Sequence, residues 1–139
     1  MANFKTTGHD IGLLLLRLTL GGILLFHGVY KLENGVGWIK MPLAQIGLPG
    51  VLAYGPYIAE IVAPILIVLG FMTRPAALVI AFDMIMAVIL VLRQQIFAIK
   101  PAGGGWAIEI EAFIFLTALT LFFTGAGKYS LSRAKWSWD

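Results

Sequence analysis

The chain has 139 residues, 60% of them apolar and 12% charged, with a net charge of +3 and a mean hydropathy of +0.91. Soluble chains carry about twice that charged fraction, so the surplus apolar surface faces lipid. The basic residues sit at the ends of apolar segments, as in membrane proteins, which excludes nucleic acid as a partner, and the absence of cysteine excludes disulfides and thiolate chemistry within the chain.

Four stretches have the length, about 20 residues, that a ~30 Å hydrocarbon core demands. They are residues 11–32, 52–72, 76–97 and 106–124. Backbone in lipid must satisfy its own hydrogen bonds, so each is read as a helix. The first is no cleavable signal: it is too long, contains Arg17 and lacks a small-residue cleavage site. After it, Gly35 to Trp38 and the GLPG run at Gly47 to Gly50 mark a loop, with residues 41–52 forming a short interfacial helix or a re-entrant segment. Thr73, Arg74 and Pro75 make a tight turn, and Pro101 with Gly103, Gly104 and Gly105 separates the last two stretches. Beyond Leu131 an amphipathic tail rests at the cytoplasmic surface.

The expected fold is one all-α domain over residues 1–139, an integral membrane four-helix bundle with both termini cytoplasmic. That orientation puts Lys5, Arg74, Lys128, Arg133 and Lys135 inside, against Lys31, Lys40, Arg93 and Lys100 outside. Trp38, Tyr54, Trp106, Tyr129, Trp136 and Trp138 fall near the interfaces.

The chemistry rests with the ionisable residues at membrane depth: Arg17, His27, Lys31, Glu60, Asp83, Glu109 and Glu111. An unpaired charge there costs about 2.5–3.5 kcal/mol or more, so each is expected to face the bundle interior. Counting ~1.5 Å per residue from the span ends predicts two layers. One holds Arg17 with Asp83 and Glu60; the other holds His27 with Glu109 or Glu111, and Lys31. Arg17, Gly21, Leu24, Gly28 and Lys31 share one helix face, whose glycines admit a close neighbour. Glu60, Pro64, Ile67 and Gly70 line up similarly, and Pro56 and Pro64 free carbonyls around Glu60, bending the helix or opening a cavity.

Each residue has a structural reading beside the functional one. Arg17 with an acid is an ion pair that sets helix register; His27 is a proton relay or a structural hydrogen bond. No metal-ligand spacing is present, Met84 and Met86 read as packing, and His9 as solvated. The candidate catalytic residues are His27 and Glu60, and the candidate ligand-binding residues are Arg17, His27, Lys31, Glu60, Asp83 and Glu109.

The runs LLLLRLTLGGILLFHGVYKL (Leu13 to Leu32), EIVAPILIVLGFMTRPAAL (Glu60 to Leu78) and GAGKYSLS (Gly125 to Ser132) resemble the DoxX family of bacterial four-helix membrane proteins. The likeness covers nearly the whole chain and is nearest to the small inner-membrane branch of enterobacterial type. The family pattern closes Ser-Leu-Asp, and here Ser132 replaces the aspartate. The resemblance implies a bacterial inner-membrane protein associated with quinone and thiol redox systems, either an oxidoreductase or a subunit of one. Without cysteine the chain does no thiol–disulfide exchange itself, and one intramembrane histidine makes no haem axial pair. A quinone between the helices, held through Arg17, Glu60 or His27, is the implied ligand. The alternatives are a non-catalytic subunit or scaffold for a soluble redox partner, and a small-solute transport element, which needs a homo-oligomer.

Overall fold

The first helix begins seven residues ahead of the apolar run that predicts it. The computed structural model describes residues 4–132 and Trp138, with side chains from Thr7 onward. Helix α1 runs Phe4–Asn34, and a 3₁₀ turn, Gly37–Ile39, leads into the short α2, Lys40–Gln45. Two long helices follow, α3 (Gly50–Leu69) and α4 (Thr73–Gln95), and then α5, Glu109–Thr124. The tail expected beyond Leu131, with Arg133, Lys135 and Trp136, lies outside the described residues, as does the Lys5 side chain.

The architecture is all-α with five helices, of which α1, α3 and α4 are long and apolar enough to cross a membrane. Helix α5 has 16 residues, a length of about 24 Å at ~1.5 Å per residue. It starts later than expected because the segment before it folds back on itself. The Lys100 amide donates to the Gly105 carbonyl (2.7 Å), the Ala107 amide to the Ala98 carbonyl (3.0 Å) and the Trp106 indole to the Ile96 carbonyl (2.6 Å). Residues 106–108 thus close a hairpin instead of opening a helix.

Helices α1 and α3 run antiparallel in close contact, and two glycines make this geometrically feasible. A Cβ on Gly28 would overlap the Glu60 carbonyl, and one on Gly21 would overlap the Val68 side chain. Leu20, Leu24, Ile67, Ala77, Ile80, Ala118 and Leu121 form the central core between α1, α3, α4 and α5. A second cluster of Val36, Ile39, Leu43 and Ala53 closes the end of the bundle where α1 finishes. The outward faces stay apolar, with Phe26, Phe82, Phe113 and Phe123 all exposed, as a lipid solvent requires.

Two helices contain a widened π turn, Ile58–Val62 in α3 and Val88–Leu92 in α4. The first has an evident cause. Pro64 has no amide to offer the carbonyl four residues back, and its ring crowds that carbonyl. The residue concerned is Glu60, whose carbonyl turns to Gly28. At the far end α3 stops at Gly70, whose φ of 68° is left-handed, a conformation glycine adopts without penalty. Its amide bonds the Ile67 carbonyl at 3.1 Å.

The glycine contacts generate a stability prediction. Gly28→Leu should cost about 1–3 kcal/mol through overpacking, read as a lowered thermal midpoint in detergent. Gly22→Ala, where a Cβ meets nothing within 4 Å, should keep or raise the midpoint, since alanine favours a helix interior over glycine. Equal midpoints for Gly28→Leu and the parent would refute the close contact.

Candidate functional site

The polar residues inside the bundle occupy two levels, but not the two that depth counting predicts. At the first level lies Arg17, only 1% exposed. Its Nε donates to the Ile67 carbonyl (2.9 Å) and one terminal nitrogen to Val68 (2.9 Å). The other donates to Ala126 (2.7 Å) and Tyr129 (2.8 Å). Ile67 and Val68 are in the last turn of α3, where the regular ladder ends and the helix dipole is negative; the Ile67 carbonyl also accepts the Gly70 amide. The segment after α5 completes the cage. The Leu131 amide bonds the Leu69 carbonyl (2.9 Å), and the Ser132 hydroxyl bonds the Gly70 carbonyl (3.0 Å). The terminal GAGKYSLS motif is therefore a latch on the end of α3.

This corrects the expected grouping of Arg17 with Asp83 and Glu60. Both acids lie at the level of Lys31, fourteen residues further along α1, or about 21 Å. The depth count treated the starts of the apolar runs as level. Arg17 instead lies beside the α3–α4 turn, where Gly70 packs on its guanidinium.

At the second level Lys31 Nζ meets Glu60 Oε1 at 2.5 Å, and Glu60 is 4% exposed. The other Glu60 oxygen is buried and has no hydrogen-bond donor among the described residues. Asp83 of α4 faces Glu60 within side-chain hydrogen-bonding reach and lies within electrostatic reach of Lys31. The Tyr57 hydroxyl donates to the Lys31 carbonyl at 3.2 Å, tying the end of α1 to α3. Glu60 belongs to the π turn of α3, and single π turns recur at functional sites because they re-aim one side chain.

Beside this trio is an open-sided cavity of about 500 Å³, lined by the end of α1, the α2 segment, the start of α3 and the later part of α4. Lys31 and Asp83 supply its charged lining; Trp38, Leu43, Phe82 and Met86 are among its apolar walls. Both π turns border it, through Ile58 and Ala59 on α3 and Leu90 and Val91 on α4. An apolar pocket of this size with a few convergent polar groups has the character of a small-molecule site. A smaller groove of about 270 Å³ between α1 and α5, lined by Leu15, Thr19, Ile23 and Phe113, offers no ionisable group.

Two expected site residues lie elsewhere. His27 is exposed beside Phe26 on the outer flank of α1, which corrects its inward placement. The reason is helical phase: the buried stripe passes through Leu24 and Gly28, and a residue next to Gly28 is rotated about 100° away. Glu109 is exposed and pairs with Lys100 at 2.8 Å, so Lys31 does not share a layer with it. Glu111 is half-buried. The sequence reading placed Trp38 only at an interface and passed over Tyr57 and Phe82, because an aromatic residue at an interface or in a span shows no pattern of its own. No group of three or more potential metal ligands occurs among the described residues.

Residues 12–93 match the DoxX family model. The chain is 32% identical over 117 residues to a Bacillus subtilis protein named "Putative oxidoreductase CatD", covering 84% of this chain and 81% of the relative. It is 29% identical over 133 residues to membrane protein Rv3486 of Mycobacterium tuberculosis, covering 85% and 77%. No solved structure matches.

The Arg17 cage should carry stability. Arg17→Met removes four hydrogen bonds and leaves the buried Ala126 carbonyl without the guanidinium at about 1–3 kcal/mol, so detergent-solubilised protein should melt well below the parent or fail to accumulate. Glu109→Ala removes a partly exposed ion pair worth about 0–1 kcal/mol and should melt near the parent. A parent-like midpoint for Arg17→Met would contradict the cage.

Proposed function

The chain belongs to the DoxX family, and we propose that it is a quinone-linked redox component of the bacterial inner membrane that binds its ligand in the cavity beside Lys31, Glu60 and Asp83. The observation carrying this reading is the juxtaposition itself: an apolar chamber of about 500 Å³ with Lys31 and Asp83 at its wall and a buried carboxyl partner, Glu60, behind them. A quinone ring needs apolar walls, a hydrogen-bond donor for its carbonyl oxygen and a group that exchanges protons as the oxygen changes charge. Lys31 has ammonium donors beyond the one engaged by Glu60 and serves as the donor; Asp83 is the exchanging acid, with Glu60 as its relay. A relative carrying an oxidoreductase name agrees with this chemistry. The chain has no thiol, so its electrons would pass to or from a partner protein.

The same reading makes α5 the fourth membrane crossing, with both termini cytoplasmic. Its buried residues Ile114, Ala118 and Leu121 pack inward while Ile110, Phe113, Leu116 and Phe123 are exposed, so it is apolar all round. It ends near Arg17 at the level of the α3–α4 turn, and the exposed Phe97, Ile99 and Trp106 of the preceding hairpin extend its apolar height. Arg74 and Lys128 then lie at the cytoplasmic pole, and Lys40 and Lys100 at the opposite one.

Two experiments test these statements. Lys31→Met alone would strand a buried carboxylate at about 3–5 kcal/mol; Lys31→Met with Glu60→Gln removes both charges together. That double variant should fold yet bind a water-soluble quinone analogue about tenfold or more weakly, read by equilibrium dialysis of purified protein. Parent-like affinity would sink the assignment. Since the native chain lacks cysteine, Ala102→Cys and Lys128→Cys report topology directly. A membrane-impermeant maleimide should label the first in spheroplasts and the second only in inverted vesicles; labelling of both from one side would remove the fourth crossing.

A further inference from the structure

The charges of the trio do not balance, and the imbalance bears on which molecules the cavity accepts. One ammonium, Lys31, faces two carboxyl groups, Glu60 and Asp83. Lys31 contacts one Glu60 oxygen, and the other is buried with no donor among the described residues. A carboxylate oxygen so placed beside a second carboxylate is satisfied in two ways. Either a proton lies between the two groups, or a positive charge arrives from outside. Of the two acids only Asp83 lines the cavity, so an incoming charge meets Asp83 first. The rest of the lining suits the same visitor, because it includes Trp38 and Phe82 and aromatic faces attract cations.

The titratable groups around the pair are Lys31 from α1, Tyr57 and Glu60 from α3 and Asp83 from α4. The α2 segment contributes apolar residues, Ile39 and Leu43, to the cavity. Its Lys40 is held over the Tyr54 ring, 5.5 Å from the centroid. No second cation therefore competes from that side.

We propose that the cavity selects an apolar molecule bearing a single positive charge, which docks against Asp83 and releases the proton held between Asp83 and Glu60. The exchange is balanced: one monovalent cation enters, one proton leaves to water, no covalent bond to carbon forms or breaks, and the trio with its occupant stays neutral. An anion of the same shape has no such exchange available. The inference rests on the cavity being a ligand site, but not on that ligand being a quinone.

Tetraphenylphosphonium and tetraphenylborate, alike in shape and opposite in charge, are the probes, added to the purified full-length chain in non-ionic detergent. Equilibrium dialysis should show the cation binding at least about tenfold more tightly than the anion. Its affinity should rise with pH by up to about tenfold per unit, with proton uptake by a dye indicator in weak buffer. Asp83→Asn should abolish the pH dependence and weaken cation binding about tenfold or more, while Asp83→Glu retains both; the thermal midpoint of each variant reports folding. Equal or tighter binding of the anion, or cation binding indifferent to pH and to Asp83→Asn, overturns the proposal. A quinone analogue that binds where the phosphonium does not overturns this inference alone. If neither binds, the quinone reading falls with it.

Discussion

Everything in this bundle is referenced to one guanidinium. Arg17 is buried on α1 and gives its donors to Ile67 and Val68 at the end of α3 and to Ala126 and Tyr129 beyond α5. Such a group cannot slide along its helix without leaving buried carbonyls unpaired, so it fixes how far α1 is inserted relative to α3. With that register set, Gly28 falls opposite the Glu60 carbonyl and Lys31 within reach of the Glu60 side chain. The structural cation and the candidate site are thus coupled through the rigid rise of α1, one acting as anchor and the other as the far end of the ruler.

The backbone defects follow from the same geometry. A straight α3 would hold the Glu60 carbonyl in its own ladder, and Pro64 prevents that. The resulting π turn gives the carbonyl to Gly28 and carries Glu60 toward Lys31. The second π turn, in α4, lies on the opposite border of the cavity. The chamber therefore sits where two helices are locally wider than ideal, which keeps their side chains from interdigitating to native core density.

Much of this was legible in the sequence, and the limits have physical causes. Apolar length gave the long helices near their observed ends, and helical phase gave the buried stripe through Arg17, Gly21, Leu24 and Gly28. The same phase, applied strictly, would have turned His27 outward; the expectation that intramembrane charge faces inward prevailed instead. What periodicity cannot supply is the axial offset between helices, because it measures angle and not height. Hence Asp83 and Glu60 were assigned to Arg17 when they belong with Lys31. The hairpin that shortens α5 depends on pairing between residues 98 and 107, which a one-dimensional reading of apolar runs does not detect. The cavity depends on how four elements fail to meet, and no single segment carries that information.

The latch at Arg17 also has a bearing on biosynthesis. Its guanidinium enters the membrane with the first helix, whereas its acceptor on Ala126 is 109 residues away along the chain. During insertion the arginine must wait for the segment after α5 before its cage can close. Until that segment docks, the guanidinium lacks its acceptors on Ala126 and Tyr129. Closing the cage is therefore a late step of assembly, set by where those two acceptors fall along the chain.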